Sequence, residues 1–412
     1  MKQVRDFSVS EKLSHSVISE VCLAYLLQFN TYETLGVNLD GSFPLAKYAA
    51  EHWIAHANAS CKNKSQSSSV FSLMMKLLTD KNGAFVNWVQ IYDIHSCHMN
   101  LLVPSNELAP PLYYASLAGL TEASYALLEM GADINAQGGF YGNALQAATY
   151  GGHKAIAKLL IEKGTDVNVK GGYYGNALYT ATCGGRKEIA KLLIEKGADL
   201  NAEVGHYGSA LLIALDQDQE AIAKLLIEKG ADVNAQGGYY NNTIQAAICR
   251  SHEAIAKLLI EKGANVNAQG GLYGNALQAA SYKGHQAIAK LLIEKGADVN
   301  AQGGFYGNAL QAALSEHHEA IARLLIEKGA DANAQGGFHG NALQTASHRG
   351  QEAIAKLLIE KGADVNAQGG YYRNALQAAL LTGHEAIAKL LIEKGAYKSV
   401  QINPYLTGWA VI

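Results

Sequence analysis

The chain has 412 residues, of which 49% are hydrophobic and 17% charged, a composition that predicts a folded protein and excludes a disordered one. A formal net charge of −3 at pH 7 offers no basic surface, so we expect no nucleic-acid partner. The longest apolar run, Val21 to Phe29, is far shorter than the roughly 20 residues of a membrane-spanning helix, and the opening residues MKQVRDFSVSEK lack the apolar core of a secretory signal, so we expect no membrane partner.

Residues 1–105 contain no internal repeat and are predicted to form a small helical domain. The segments SHSVISEVCLAYLLQF and FPLAKYAAEHWIAHA have apolar residues at helical spacing. The polar stretch KNKSQSSS predicts a linker, and VFSLMMKLL and AFVNWVQIYD follow it. Because a stack of repeats must cover its open end, we expect this domain to cap the repeats that follow.

From residue 106 to residue 396 the sequence repeats with a period of 33 residues, and residues 397–412 form a C-terminal tail. The register is marked by one aromatic position, occupied by Tyr141, Tyr174, Tyr207, Tyr240, Tyr273, Tyr306, His339 and Tyr372. The motif NAL keeps the same spacing, and PPLYYASLAGL extends the register one unit toward the N-terminus. Repetition at this period predicts a repeat architecture, here of about nine units.

Each unit is predicted to contain a turn and two short helices. Asn143 and its equivalents are suitable N-cap residues for an inner helix, ALQAA, whose small side chains allow close stacking. A residue such as Gly152 ends that helix, where a positive φ is expected. The outer helix, HKAIAKLLIEKG, places Ile156 and Leu160 on one apolar face. TDVNVKGGYYG then returns to the next unit as an extended finger with a glycine-rich tip.

This unit resembles the ankyrin repeat, whose pattern TPLH…A…GH…LL…GADVNA corresponds here to NALQAA…GH…LLIEKGADVNAQ over residues 108–396. The resemblance implies an all-α solenoid of about nine helix-turn-helix units that binds a protein partner without catalysis. The sequence departs from the family in having Asn-Ala for Thr-Pro, Gln for His, and a Gly-Gly-aromatic-Tyr-Gly tip. Asparagine retains the capping function, whereas the new tip leaves the geometry of the fingers open.

The order CLAYLLQF, PLAKYAAEHW, NWVQIYD and PLYYASLAGL also resembles the segment before the repeats in fungal NACHT–ankyrin proteins, which are NLR-like signalling ATPases of the STAND class. In that family an upstream P-loop module switches and oligomerises, and the repeats sense a ligand. The chain has no GxxxxGK[ST] motif and therefore resembles only the C-terminal half. The resemblance implies the sensing part of such a receptor or, alternatively, a fragment of an ATP-dependent switch whose nucleotide-binding module is absent from this chain.

Comparison of the units with one another separates constant from variable positions. The outer helix EAIAKLLIEKGA hardly varies, whereas the last two residues of the inner helix differ from unit to unit. In the ankyrin fold these positions face a groove beside the finger tips, and aromatic and arginine side chains there supply binding energy. The candidate partner-binding residues are Phe140, Tyr150, Tyr173, Cys183, Asp216, Tyr239, Arg250, Tyr282, Lys283, Phe305, Glu316, Phe338, His348, Arg349 and Tyr371.

Two alternatives to a binding groove are neutral drift of surface residues and a structural spacer. The exposed Lys and Glu of the outer helix face solvent equally and do not drift, which favours the groove. A spacer predicts that no cellular protein co-purifies with the chain.

Signals for other chemistry are weaker, and we expect no enzyme, metal or cofactor. The GGxYG tips lack a following lysine and are predicted to be turns rather than phosphate loops. HSCH at residues 95–98 has no second cluster to complete a metal site. Cys183 and Cys249 have no base at fixed spacing, which argues against nucleophilic catalysis. Five scattered cysteines without a CxxC pair predict a reducing, cytoplasmic location.

Overall fold

A computed structural model describes residues 11–29, 44–60, 69–80, 83–91, 108–204 and 208–397. Within these ranges the chain forms 22 helices and one short two-stranded hairpin. The chain divides into two compact units, Met1–Asp199 and Leu200–Ile412. The described helices are all too short or too polar to cross a lipid bilayer.

The first unit contains ten described helices. They are α1 (Glu11–Leu26), α2 (Ala46–Ser60), α3 (Ser69–Leu78), α4 (Ala84–Ile91), α5 (Pro111–Leu117), α6 (Thr121–Glu129), α7 (Ala144–Gly151), α8 (Lys154–Glu162), α9 (Ala177–Cys183) and α10 (Lys187–Glu195). Helices α5 to α10 are three pairs of an inner and an outer helix, at the predicted 33-residue spacing.

The helices before the repeats pack on the first pair through an aromatic cluster. The ring centroids of Trp53 and Trp88 lie 5.4 Å apart, and both indoles are fully buried. The rings of Phe85 and Trp88 pack edge-on against that of Tyr114 in α5, with centroid distances of 5.5 and 6.1 Å. This packing covers the inner helix of the first pair. The predicted domain boundary after residue 105 lies outside the described residues and stays a prediction, as does the assignment of residues 397–412 as a tail.

The second unit contains six helix pairs and the hairpin. They are α11 (Ala210–Asp216), α12 (Glu220–Glu228), β1 (Gln236–Gly237), β2 (Asn241–Asn242), α13 (Thr243–Cys249), α14 (Glu253–Glu261), α15 (Ala276–Lys283), α16 (Gln286–Glu294), α17 (Ala309–Ser315), α18 (Glu319–Glu327), α19 (Ala342–His348), α20 (Glu352–Glu360), α21 (Ala375–Leu381) and α22 (Glu385–Glu393). The predicted helix-turn-helix units are therefore confirmed.

The ends of the inner helices follow from the capping residues. At α17 the Asn308 side chain accepts a hydrogen bond of 2.9 Å from the backbone N–H of Gln311, which satisfies an unpaired donor of the first turn. The expected positive φ after the inner helix is confirmed at Gly152 (77°). Where glycine is replaced, Ser251 (63°) and His317 (61°) adopt the same conformation, which costs more for residues with a Cβ.

Two amide side chains of the repeated motif, a glutamine of the inner helix and an asparagine of the loop, bond to the following unit in most of the repeats, as Gln311 and Asn300 show. Gln311 Nε2 donates to the carbonyls of Ala334 (3.3 Å) and Gly340 (3.0 Å) in the following finger. In the loops, Asn300 Oδ1 accepts from the backbone N–H of Asp331 at 2.8 Å, and its Nδ2 donates to the Gly329 carbonyl at 3.1 Å. Much of the constant sequence thus bonds one repeat to its neighbour.

The fingers are tight hairpins. In one of them, β1 and β2 pair antiparallel, with Gln236 opposite Asn242. In another, Gly304 has a φ of 62°, and a Cβ placed there would collide with the backbone of Tyr273 in the preceding finger. Successive fingers therefore approach backbone to backbone, which settles the geometry that the unusual tip left open.

Candidate partner-binding surface

Each finger tip carries two side chains with different environments. The first, which we call the outer tip residue, is Phe140, Tyr173, Tyr239, Leu272, Phe305, Phe338 or Tyr371 in the described fingers. All of these except Phe140 are exposed, Tyr239 by 72% and Phe305 by 56%. The second, the inner tip residue, is Tyr141, Tyr174, Tyr240, Tyr273, Tyr306, His339 or Tyr372, and is buried or half-buried. His206 and Tyr207 lie outside the described residues.

In the first unit the variable residue Tyr150 lies between inner tip residues. Its ring centroid is 4.1 Å from that of Tyr141 and 6.1 Å from that of Tyr174, in stacked orientations. The outer tips Phe140 and Tyr173 stack on each other at 4.8 Å. The end of the inner helix α7 therefore faces the fingers, as predicted.

The second unit repeats this arrangement with different side chains. Tyr282 stacks on Tyr306 at 4.7 Å. The ring centroid of His348 lies 4.7 Å from those of both His339 and Tyr372. The inner tip residues are the part of this surface that the sequence reasoning did not select as binding residues. Their 33-residue periodicity marks the register of the repeats, but it does not distinguish a binding residue from a structural one.

Two of the predicted binding residues pair with each other. Arg250 forms ion pairs with Asp216 at 3.2 Å and with Asp218 at 3.6 Å. The buried His252 lies beside them, with its Nδ1 atom 2.7 Å from Glu220. The charge of Arg250 is therefore compensated within the protein.

The two cysteines of the surface are poorly suited to nucleophilic chemistry. Burial raises the pKa of the Cys249 thiol to about 12 and that of Cys183 to about 11, so that little thiolate exists at neutral pH. The described ranges contain no group of three or more metal-ligating side chains, and the HSCH motif lies outside them. The absence of a metal site and of catalysis stays a prediction.

Four predicted residues come together around one cavity of the second unit. Phe305, Phe338, Glu316 and Arg349 line it together with inner tip residues, and its volume is about 230 Å³. Tyr371 lies next to this group, because its ring stacks on Phe338 at 4.9 Å. Lys283 is exposed, with its Nζ atom 5.9 Å from the ring centroid of Tyr282.

The imidazoles beside the cavity are neutral at neutral pH. Burial, and then the charges of His348 and Arg349, lower the pKa of His339 to about 4. Burial also lowers the pKa of His348, and the charge of Arg349 contributes. Arg349 thus supplies the positive charge of this cluster.

The sequence pattern of the family described as Ankyrin repeats (3 copies) matches residues 112–204, 173–237, 211–303, 244–336 and 309–402, well over half of the chain. The chain is an ankyrin-repeat protein. The predicted fold class is confirmed. Ankyrin repeats generally mediate protein–protein binding and are generally non-catalytic. The resemblance of the preceding helices to NACHT–ankyrin proteins is not part of this match and stays a prediction.

Similar proteins include a fungal relative and a solved ankyrin-repeat domain. Azaphilone pigments biosynthesis cluster protein L of Monascus ruber is 32% identical over 169 residues, which cover 37% of this chain and 34% of the relative. The chain thus spans about a third of the length of that protein. The human ASB11 ankyrin repeat domain is 24% identical, with a TM-score of 0.45, over 54% of this chain and 98% of the other.

Proposed function

We propose that this ankyrin-repeat protein is a non-catalytic scaffold that binds a protein partner through its finger side, which comprises the outer tip residues and the variable ends of the inner helices. One observation carries the proposal: the residues that differ between repeats lie beside exposed aromatic tips. The constant residues are used differently, since Gln311 and Asn300 bond to the next repeat.

The exposure of the tips supports binding over drift. Tyr173 and Tyr239 expose 67% and 72% of their surface, whereas the exposed positions of the outer helices carry Lys and Glu. The exposed part of such an aromatic side chain contributes no buried area to the fold, but large aromatic side chains dominate the energy of many protein interfaces. A structural spacer has no need of such residues.

The resemblance to NACHT–ankyrin proteins also suggests the type of receptor to which the scaffold belongs. We infer that the chain acts in the cytoplasm as the ligand-sensing part of an NLR-like receptor, on the strength of its resemblance to NACHT–ankyrin proteins. The competing proposal is a fragment of an ATP-dependent switch. In both proposals the nucleotide-binding module is absent from this chain, so equilibrium dialysis of the chain with labelled ATP is expected to show no binding, and saturable binding would contradict both.

Replacement of four exposed outer tips by serine, at Tyr239, Phe305, Phe338 and Tyr371, is expected to lower recovery of the bound partner at least ten-fold. The partner is recovered from a cell extract on immobilised protein and identified by mass spectrometry. The control carries serine at four exposed outer-helix lysines, Lys224, Lys257, Lys290 and Lys356, and should retain the partner. Tyr150 and Tyr282 are left intact because their rings are half-buried as well as stacked, so that their loss would also lower stability.

Both variants should unfold within a few degrees of the unchanged protein, because the replaced side chains are exposed. Undiminished recovery of the same partner by the tip variant would contradict the proposal, as would equal loss in the lysine control.

A further inference from the structure

Backbone hydrogen bonds join successive outer tips in parts of both units. The N–H of one tip donates to the carbonyl of the tip before it in the pairs Phe140 and Tyr173 (2.8 Å), Leu272 and Phe305 (2.9 Å), and Phe338 and Tyr371 (3.0 Å). Among the described residues no such bond joins Phe305 to Phe338, nor Tyr239 to Leu272. We call the first of these places, between Phe305 and Phe338, the open junction: the hydrogen bond between the outer tips is missing there, although the backbones of Gly337 and Tyr306 still approach closely.

The cavity of about 230 Å³ lies at this open junction, with Phe305 and Phe338 on its walls. Pockets for complete small-molecule ligands usually exceed about 300 Å³. The space therefore suits one or two side chains of a partner better than a whole cofactor. The rings of Phe305 and Phe338 are 56% and 50% exposed and offer apolar contact to a flat or apolar side chain.

The charge of Arg349 is uncompensated within the described residues. No carboxylate of a described residue lies within 4.0 Å of it. Its Nε atom is buried without a hydrogen-bond partner, as is the Nε atom of Arg250, so the missing carboxylate is what distinguishes the two arginines. Arg250 occupies the same position three repeats earlier and pairs with Asp216 and Asp218. At the equivalent positions next to Arg349 the chain has Ser315 and His317 instead. A buried donor without a partner is costly, and a ligand carboxylate would remove that cost.

The second charged group of the cavity narrows the class of ligand. Glu316 lines the same space, but no ion pair joins it to Arg349. One carboxylate of a ligand can pair with Arg349 while remaining clear of Glu316. A phosphate, which carries nearly two negative charges at neutral pH, would be repelled more strongly by Glu316.

From these observations we propose that the cavity binds an acidic segment of a protein partner. An apolar or aromatic side chain of that segment lies between Phe305 and Phe338, and a neighbouring carboxylate pairs with Arg349. The inference rests on the proposed function and specifies the chemistry of the partner at this site.

Three capped peptides test the inference: acetyl-Gly-Phe-Glu-Gly-amide and its analogues with Gln or Lys in place of Glu. Each is titrated into the full chain while the amide resonance of Phe338 and the Nε–Hε resonance of Arg349 are followed by NMR. The Glu peptide is expected to bind at least ten-fold more tightly than either analogue. Arg349→Gln should weaken its binding at least ten-fold, and Phe338→Ser should weaken it similarly.

The matched control is Arg323→Gln, which removes an exposed arginine of the outer helix α18 and should change the affinity less than two-fold. Equal binding of the three peptides, failure of all three to bind at millimolar concentration, or affinity that survives Arg349→Gln would overturn the inference. Preference for the Lys peptide, lost in Glu316→Gln, would also overturn it and assign the cavity to a basic segment.

These failures are distinguishable from failure of the proposed function. If the peptides give a negative result but the four-tip variant loses its partner, the finger side binds by other chemistry and only the acidic-segment inference is wrong. If the four-tip variant keeps its partner, the proposed function is wrong whatever the peptides do.

Discussion

Replacement of Gly304 by alanine is expected to lower the free energy of unfolding by about 3 kcal/mol. Two effects contribute. The φ of 62° at this residue is unfavourable for any residue with a Cβ, by about 1 to 2 kcal/mol. The added methyl group would also collide with the carbonyl group of Tyr273 and the backbone nitrogen of Gly274, which have no flexible end that can move aside.

The matched control is Gly296→Ala in the same repeat. Gly296 has a similar φ of 85°, but a Cβ there would have no atom within 4 Å. In this variant the free energy of unfolding should fall only by the cost of the positive φ, about 1 to 2 kcal/mol, because no collision is added. Urea unfolding followed by circular dichroism measures both values. Equal losses would show that the fingers do not approach each other as closely as described.

Replacement of Leu292 by alanine is also expected to cost about 3 kcal/mol, because it leaves a cavity in a closely packed core. Leu292 lies on the buried face of the outer helix α16 and is fully buried, as are Ile288 and Ala289 on the same face. In a stack of repeats this loss weakens the repeat itself and its contacts with both neighbours.

The adjacent Leu291 provides the control, since it is only half-buried on the same helix. Leu291→Ala should cost about 1 kcal/mol, with nearly the same change in helix propensity. The difference in the midpoints of urea unfolding between the two variants isolates the effect of burial. If the two variants unfold at the same urea concentration, the assignment of the buried face is wrong.

Local features of the repeat could be predicted from the sequence because they depend on neighbouring residues. The period gave the helix pairs, Asn308 marked a helix start, and Gly152 marked a helix end with positive φ. The apolar spacing of the outer helix identified its buried face. These features follow from capping, backbone conformation and periodicity within about ten residues.

Contacts between repeats could not be predicted in the same way. Asp216 and Arg250 were selected separately, and nothing in their spacing of 34 residues shows that they form an ion pair. The open junction is harder still, because the fingers around Phe305 and Phe338 have nearly the same sequence. Only the local charges could be compared from the sequence: Ser315 and His317 stand near Arg349 where Asp216 and Asp218 stand near Arg250.

The most direct test of where the partner binds is hydrogen–deuterium exchange of the full chain with and without the partner recovered from the extract. Bound partner is expected to slow exchange at the finger tips, such as residues 304–307 and 337–340, and at the ends of the inner helices. Exchange in the outer helices, such as Glu319–Glu327, should be unchanged. Protection confined to the outer helices, with tips that exchange as in the free protein, would contradict it.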